Sequence, residues 1–409
     1  MRPTSSRQLS NPITNSLIII TTVIITLVCL EIGARWLPPP YQNATNPGIV
    51  CSEQLGWRGR SNYEATLVTD GYQHPVRFNE RGMHDREHPQ LKPEGTYRIL
   101  MLGDSFVQAA QVAETETARQ ILEDLLNSRP AGRRYEVINA GIPSWGAGQE
   151  LIYYRQEGRS YQPDLVLLVI YIGNDIKDNL PGRALTIAGR NCYAPYLAVC
   201  DHQLDPTPLP YAPGLPPVEG ECSASYKFVA NMLGKLYRSS HLYARLEPLL
   251  AAGQPDVNAL DYYHLYLPQE DDELFGYAWQ LILGIVKQLD REVRQDGAEF
   301  AVVLVSPREV LQFTQMSEAE REVIYQTVPD LRQARDIDRP NRKLIEALTQ
   351  DDIRVLDLFP LFVNYMTETG QSLYYSGDNH WNVTGNRVAA EMIYAWLPKD
   401  HAGIIGSSK

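Results

Sequence analysis

The hydrophobic pattern begins with one long apolar run near the N-terminus. No charged residue occurs from Gln8 to Leu30, and from Ile13 onward the run is almost entirely Ile, Leu, Val and Thr. About 20 consecutive apolar residues cross a bilayer as a helix. We therefore predict a transmembrane anchor over residues 13–30, preceded by a short cytoplasmic N-terminus over residues 1–12.

The charges beside this run predict its orientation. Arg2 and Arg7 precede it, whereas Glu31 and Arg35 follow it. The positive-inside rule therefore places the N-terminus inside and the rest of the chain on the extracytoplasmic side. A cleaved signal peptide is the alternative, but no Ala-x-Ala site follows the run, so an uncleaved anchor is favoured.

Beyond residue 95, short apolar runs of strand length alternate with segments of helical periodicity. The predicted strands cover residues 98–103, 135–139, 163–172, 300–305 and 353–358. The predicted helices cover residues 116–128, 148–158, 274–294, 342–349 and 384–397. This alternation predicts an α/β fold, a doubly wound parallel sheet with helices on both faces.

The alternation is interrupted once, which sets the predicted organisation of the chain. Residues 181–270 are rich in Pro, Cys and Tyr, with one helical stretch near residues 226–250, and we interpret them as an insertion. Insertions into such sheets commonly lie over the site at the strand ends. The other predicted segments are a leading segment of short strands and loops (31–95), the two halves of the domain (96–180 and 271–398) and a tail (399–409).

Composition and charge argue against one class of partner. The formal net charge is −12 and no basic stripe is present, which argues against nucleic acid as a partner. Four cysteines follow the apolar run (Cys51, Cys192, Cys200 and Cys222), and in an exported chain they allow three disulfide pairings. Cys192 and Cys200 are close enough in sequence to bridge a loop.

Polar residues follow two of the predicted strands or precede the last helix. Ser105 ends the first strand in Gly-Asp-Ser, Asn174 follows the third strand, and His380 precedes the last helix with Asp378 two residues earlier. Carboxyl ends of parallel strands share one edge of a sheet, so these side chains are expected to meet there. A hydroxyl, an imidazole and a carboxylate in contact are the parts of an activated serine nucleophile.

The loop after the second strand, residues 139–146, is expected at the same edge. Its backbone amides, together with the Asn174 side chain, are candidate donors to an oxyanion. Asp175 and Asp178 lack a nearby His or third carboxylate, so no metal site is predicted. No dissociable cofactor is implied.

These residues and their order resemble the SGNH hydrolases, also called the GDSL family, over roughly residues 98–397 with the insertion set aside. The resemblance implies a flavodoxin-like three-layer fold. It also implies catalytic roles for Ser105, Asp378 and His380, and an oxyanion hole formed by Ser105, Ser144 and Asn174.

The sequence departs from the family pattern in two places. The family's second block usually has glycine five residues after the asparagine, where this chain has Ser144, and Gly146 is the alternative donor. Many family esterases have the aspartate three residues before the histidine, where this chain has Gly377. The two-residue spacing of Asp378 resembles some polysaccharide acyltransferases, and Asp357 is the fallback carboxylate.

Together these features predict an ester hydrolase or acyltransferase that forms an acyl-enzyme on Ser105. The resemblance, which extends to membrane-anchored envelope members, implies acylated carbohydrate or another ester as substrate, and a role beside a polysaccharide-assembly complex of the cell envelope. The alternative is a catalytically silent member of the fold that binds glycan or acts as a scaffold.

Overall fold

The computed structural model describes residues 12–38, 48–68, 71–128, 132–213, 222–250, 257, 265–266, 273–327, 332 and 336–397. The predicted cytoplasmic segment (1–12), except residue 12, and the predicted tail (399–409) lie outside the described residues. The predicted domain boundaries remain predictions.

The strands in chain order are β1 Ile49–Ser52, β2 Gly56–Gly59, β3 Glu64–Val68, β4 Gln73–Arg77, β5 Thr96–Gly103, β6 Arg134–Gly141, β7 Leu165–Tyr171, β8 Ala184–Ile187, β9 Arg190–Tyr193, β10 Tyr196–Cys200, β11 Gln203–Leu209, β12 Glu299–Val305 and β13 Arg354–Asp357. The helices are α1 Pro12–Trp36, α2 Ser105–Gln108, α3 Ala118–Asn127, α4 Ala147–Gln156, α5 Ala224–Ser239, α6 His241–Leu250, α7 Glu273–Gln295, α8 Arg308–Gln315, α9 Glu318–Thr327, α10 Arg339–Thr349, α11 Leu358–Thr369 and α12 Val383–Trp396.

A five-stranded sheet in the order β13-β12-β7-β5-β6 forms the centre of the fold, and all its neighbouring strands are parallel. Numbered along the chain, these strands have the order 2-1-3-4-5 from the β6 edge, which is the flavodoxin-like arrangement. The predicted α/β fold is therefore confirmed. The strand order reverses between β5 and β7, and such a reversal leaves a crevice at the carboxyl ends of the two strands.

Both faces of the sheet are buried, which explains the continuous apolar runs of its strands. Along β5, Leu100 and Leu102 belong to the hydrophobic core that includes α4 and α7. Ile99 and Met101 point to the opposite core, which includes α3 and α12. Successive side chains of a strand point to opposite faces, so one apolar strand contributes to both cores.

The region interpreted as an insertion has more regular structure than its composition predicted. It contains two antiparallel hairpins, β8–β9 and β10–β11. The single helical stretch predicted near residues 226–250 is two helices, α5 and α6, because the backbone is extended at Ser240. The hydroxyl of Ser240 accepts from the amide of Tyr243 at 3.0 Å and so starts the second helix.

Two disulfides connect the four cysteines that follow α1, Cys51 to Cys192 and Cys200 to Cys222. The short bridge between Cys192 and Cys200 that their spacing allowed is not formed. The separation along the chain did not reveal that β1 of the leading segment lies beside β9. The Cys51–Cys192 bond instead joins the leading segment to the region between β7 and α7.

The apolar run forms α1, whose last six residues extend beyond the predicted segment 13–30. The part from Ile13 to Trp36 is long and apolar enough to cross a membrane, and 6% of its most apolar window is buried. A membrane span and a signal sequence both fit these features.

Candidate active site

Three side chains that the sequence singled out meet at the carboxyl edge of the sheet. Ser105 begins α2 directly after β5, and its Oγ lies 2.7 Å from Nε2 of His380. Nδ1 of His380 is hydrogen-bonded to Oδ1 of Asp378. The same carboxylate oxygen accepts from the His380 backbone amide at 3.1 Å. Asp378 therefore reaches the imidazole in spite of its two-residue spacing.

The loop that holds His380 is folded back on itself by a short antiparallel contact. Tyr374 and Trp381 form an isolated β-bridge, and the amide of Tyr375 donates to the His380 carbonyl at 3.1 Å. Asn382 then caps α12 by accepting from the Gly385 amide at 2.8 Å. The bridge and the cap fix both ends of the loop, so that Asp378 and His380 lie side by side.

The backbone around Ser105 is held just as closely. The Asp104 carboxylate caps α2 by accepting from the Phe106 amide at 2.9 Å. A Cβ on Gly103 would lie 2.4 Å from Cγ2 of Val107, so this turn requires glycine. The Phe106 ring packs against the His380 ring at a centroid distance of 5.2 Å. This packing limits the orientations of the imidazole.

The Asp378 carboxylate is suited to balance a positive imidazole. Burial on its own raises the pKa of Asp378, but the hydrogen bonds from His380 and Tyr72 outweigh it and hold that pKa below its usual value. The Tyr72 hydroxyl, from the segment before β4, donates to Oδ2 at 3.1 Å. In the tautomer that donates Nδ1–H to Asp378, the lone pair on Nε2 of His380 faces the Ser105 hydroxyl.

Asn174, which follows β7, lies across the crevice from Ser105. Its Nδ2 donates to Oδ2 of Asp178 at 3.0 Å and to Oδ2 of Asp104 at 3.4 Å. The Ser105 hydroxyl also approaches Oδ2 of Asp104 at 3.4 Å. The amide and the hydroxyl thus share one carboxylate oxygen, which places the candidate oxyanion donor next to the candidate nucleophile.

The loop after β6 is clamped by two tryptophans. Nε1 of Trp57 donates to the Pro143 carbonyl at 2.9 Å, and Nε1 of Trp145 donates to the Trp57 carbonyl at 3.0 Å. Ser144, which lies between Pro143 and Trp145 in the chain, has a φ of 61°, in the left-handed region. The amide of Gly146, the alternative donor, is instead engaged with the Gln149 side chain at 3.3 Å. Ser144 therefore remains the candidate from this loop.

Asp357, the fallback carboxylate, has other partners. It caps α11 by accepting from the Phe359 amide at 3.0 Å and also accepts from Nδ2 of Asn341 at 2.7 Å. The carboxylate in contact with His380 is Asp378.

Sequence reasoning missed that several carboxylates are buried together behind Ser105. Asp104, Glu150 and Asp175 are buried, and neither oxygen of Glu150 has a hydrogen-bond partner among the described residues. Burial and the charge of Asp104 raise the pKa of Glu150 well above its usual value. Burial, Asp104 and Glu150 raise the pKa of Asp175 in the same way. An acidic residue beside the apolar Leu151 and Ile152 was the one signal in the sequence.

Sequence reasoning also missed a second group of buried polar residues, which contacts the end of α2. Asn139 donates from Nδ2 to the Val107 carbonyl at 2.8 Å, and its backbone amide donates to Asp85 at 2.8 Å. Asp85 also pairs with Arg119 at 2.8 Å. Burial raises the pKa of Asp85, but Arg119 and His88 outweigh it and hold that pKa below its usual value. The leading segment thus contributes a buried charged support beneath the candidate nucleophile.

Within the described ranges, no group of three or more His, Cys, Asp or Glu residues is arranged to hold a metal ion.

Comparison with known families finds a match in the C-terminal part of the chain. The family model described as "SGNH hydrolase-like domain, acetyltransferase AlgX" matches residues 278–407. That segment contains Asp378 and His380 but not Ser105. No curated protein matches the chain.

Solved structures resemble the chain at low sequence identity. An acetyl xylan esterase, AlAXEase, has 12% identity and a TM-score of 0.38, over 74% of this chain and 100% of its own. A putative lipolytic protein of the G-D-S-L family from Desulfitobacterium hafniense DCB-2 has 9% identity and a TM-score of 0.35, over 73% of this chain and 99% of its own. A two-domain esterase active on acetylated mannans has 9% identity and a TM-score of 0.36, over 77% of this chain and 51% of its own.

Residues 278–407 belong to the SGNH hydrolase-like family that this model describes. The match supports an ester hydrolase or an acyltransferase.

Proposed function

We propose that the chain cleaves or transfers O-acyl groups carried by carbohydrate, through an acyl-enzyme on Ser105. The observation that carries this proposal is the contact of Ser105 Oγ with Nε2 of His380 at 2.7 Å, with Asp378 bonded to the other ring nitrogen. A serine hydroxyl becomes a useful nucleophile only when a base within hydrogen-bond reach takes its proton.

In the first half-reaction, Ser105 Oγ attacks the ester carbonyl carbon while His380 Nε2 takes the hydroxyl proton. The carbonyl oxygen becomes an oxyanion, for which the Ser105 amide, the Ser144 amide and the Asn174 side chain are the proposed donors. The C–O bond to the alcohol then breaks, and His380 returns the proton to the leaving alkoxide. Ser105 is left esterified.

In the second half-reaction, His380 takes a proton from water or from a sugar hydroxyl, and the resulting nucleophile attacks the acyl carbon of Ser105. The bond to Oγ breaks and the serine recovers its proton from His380. Water yields a carboxylic acid, and a sugar hydroxyl yields a new ester. The two activities differ only in this acceptor.

The substrate class is argued from the family and from the N-terminal helix. The matching domain is described as that of an acetyltransferase, which favours acetyl as the acyl group. The apolar α1 and the two disulfides favour an exported chain held at the membrane with the domain outside. We therefore propose acetylated envelope glycans as substrates. No observation at the site favours the catalytically silent alternative.

The test is the release of phenol from an aryl acetate by the full chain, with and without an added glycan acceptor. We expect a burst of about one equivalent of phenol followed by slower turnover. An acetylated acceptor product would assign a transferase, and acetate alone a hydrolase. Ser105→Ala should abolish the burst, whereas Ser128→Ala, at an exposed serine after α3, should keep it. A burst that survives in Ser105→Ala would contradict the proposal.

A further inference from the structure

A cavity lined by none of the residues of the Ser105 site lies where the leading segment meets the region between β7 and α7. Its volume is about 370 Å³. β1, the start of β2, β9 and the end of α5 form its walls, and the Cys51–Cys192 disulfide lies in them. Its lining includes three cationic and three aromatic side chains: Arg190, Lys235, Arg238, Tyr193, Tyr211 and Tyr237.

The charges of the cavity wall are unbalanced. The one acid in the wall, Glu53, lies 3.6 Å from Arg238, and its own side chain is 73% exposed. Burial lowers the pKa of Arg238, Glu53 partly offsets this, and the neighbouring Arg190 lowers it further. Like charges held together in this way are stabilised by a bound anion.

One more acid lies close by, behind the tyrosines. Glu247 is buried and accepts from the Tyr193 hydroxyl at 2.6 Å and from Asn191 Nδ2 at 2.7 Å. It also accepts from the Tyr237 hydroxyl. Glu247 does not line the cavity, and it orients the tyrosine wall. The cations of the cavity wall therefore keep their excess charge.

A row of exposed apolar side chains runs along α5 towards this cavity. Phe228, Met232 and Leu236 follow one another at four-residue spacing and are 70%, 52% and 51% exposed. Residues four apart lie on one face of a helix, so the three side chains form a continuous stripe. Lys235, a residue of the cavity wall, is also exposed and adjoins Leu236. The apolar stripe thus ends at the cationic cavity.

The same end of α5 lies beside the end of the apolar helix α1. The Glu31 carboxylate of α1 accepts from the Ser240 hydroxyl at 2.8 Å and from the amides of His241 and Leu242 at 3.0 and 2.9 Å. Nε of Arg245 in turn donates to the Ala34 carbonyl at 3.2 Å. With α1 as the membrane anchor of the proposed function, on which this inference rests, the cationic wall would lie where the helix leaves the hydrocarbon layer, at the level of lipid headgroups.

We propose that this cavity binds the phosphate-bearing headgroup of an anionic lipid, with Arg190, Lys235 and Arg238 around the phosphate and the acyl chains along the α5 stripe. Charge complementarity, the adjoining apolar row and the continuity with α1 all favour a lipid. A soluble phosphate would use only the cations and would leave the stripe without a role.

The test uses the full chain, delipidated in a neutral detergent and offered phosphatidylglycerol or phosphatidylcholine with identical acyl chains. Bound lipid is counted by native mass spectrometry. We expect phosphatidylglycerol to bind at least about tenfold more tightly than phosphatidylcholine, since lysine and arginine near a membrane surface attract anionic lipid. Lys235→Gln combined with Arg238→Gln should remove most of this difference. Lys287→Gln combined with Arg387→Gln, which removes two partly exposed cations elsewhere, should leave it unchanged.

Three further arms separate the lipid from other ligands. Met232→Ser with Leu236→Ser should weaken phosphatidylglycerol binding, and neither glycerol 3-phosphate nor an acidic oligosaccharide should displace the lipid at equal concentration. Displacement by either soluble anion, or equal binding of the two lipids, would overturn the proposal. So would wild-type binding in Lys235→Gln with Arg238→Gln or in Met232→Ser with Leu236→Ser. Aryl acetate turnover and intact disulfides report the folding of each variant, and Lys235→Gln alone replaces the cationic pair if the pair misfolds.

Discussion

Two carboxylates near Ser105, those of Asp378 and Glu150, differ in the hydrogen-bond donors that surround them. On the open side, the Asp378 side chain is 26% exposed and receives hydrogen bonds from His380 and Tyr72. On the buried side, Glu150 is fully buried and neither of its oxygens has a partner within the described part of the chain. The two acids also differ in pKa, which lies below the usual value for Asp378 and well above it for Glu150.

This difference shows that donors, and not burial alone, decide which carboxylate carries a charge. Both acids lose solvation, but only Asp378 regains it from nearby N–H and O–H groups. Asp104 is intermediate, because burial raises its pKa while the Phe106 amide opposes the rise. Asp378 is therefore the charge that is available to balance an imidazolium at His380, and the acids behind Ser105 are better suited to hold protons.

Of the replacements near Ser105 considered below, that of Asp378 should lower turnover the most. Asp378→Asn keeps the shape but removes the charge and favours the wrong tautomer of His380, so we expect kcat on an aryl acetate to fall by about 10³- to 10⁴-fold. Asp357→Asn is the matched control, since Asp357 bonds to α11 and Asn341. Equal losses in the two variants, with unchanged melting temperatures, would contradict the role given to Asp378.

Removing the Asn174 amide should have the next largest effect. If Nδ2 turns from the Asp104 oxygen to the oxyanion, Asn174→Ala should lower kcat by about 10²- to 10³-fold. KM should change little, because the amide acts in the transition state. Steady-state kinetics measure both. A higher KM at unchanged kcat would mean that Asn174 binds the ground state instead.

Glu150 should affect stability more than turnover. Because its pKa is raised in the folded state, its contribution to stability is present below its unfolded pKa of about 4.3 and is lost as the pH rises towards the folded value. Glu150→Gln cannot titrate, so it should gain up to about 1.4 kcal/mol over wild type for each pH unit within that range. Urea unfolding between pH 4 and 8 measures this difference. Parallel pH profiles would refute a raised pKa for Glu150.

The Tyr72 hydroxyl should have the smallest effect. Tyr72→Phe removes one donor from Asp378, and we expect a loss of about threefold to tenfold in kcat/KM. The neighbouring Tyr375 is the matched control, because its hydroxyl donates to the Gln111 carbonyl at 3.2 Å and not to Asp378. Comparison of Tyr72→Phe with Tyr375→Phe isolates the bond. A loss in both variants, or in neither, would leave no special role for Tyr72.

Much of the fold could be predicted from the sequence, because the rules that set it are local or topological. Apolar runs such as that of β7 indicate buried parallel strands, and the carboxyl ends of such strands share one edge. The closeness of Ser105, Asn174 and His380 followed from that rule, although their catalytic roles remain a proposal.

The supporting residues could not be predicted, because their roles arise from contacts between distant parts of the chain. Tyr72 and Asp378 are far apart in sequence, and so are Asp85 and Asn139. Nothing in the leading segment indicates that it packs beneath α2. The pairing of Cys51 with Cys192 likewise depends on a tertiary contact that spacing does not encode. The polar loop residues of the site could be recognised in the sequence. The tertiary contacts that fix their geometry could not.

The most direct test of the central claim is labelling of the folded full chain with a fluorophosphonate probe, followed by intact-mass and peptide analysis. Such probes react with a serine whose hydroxyl is activated by a base. We expect one adduct per chain, on Ser105, and none in Ser105→Ala. An unlabelled folded wild type, or an adduct on another serine, would contradict activation of Ser105 by His380.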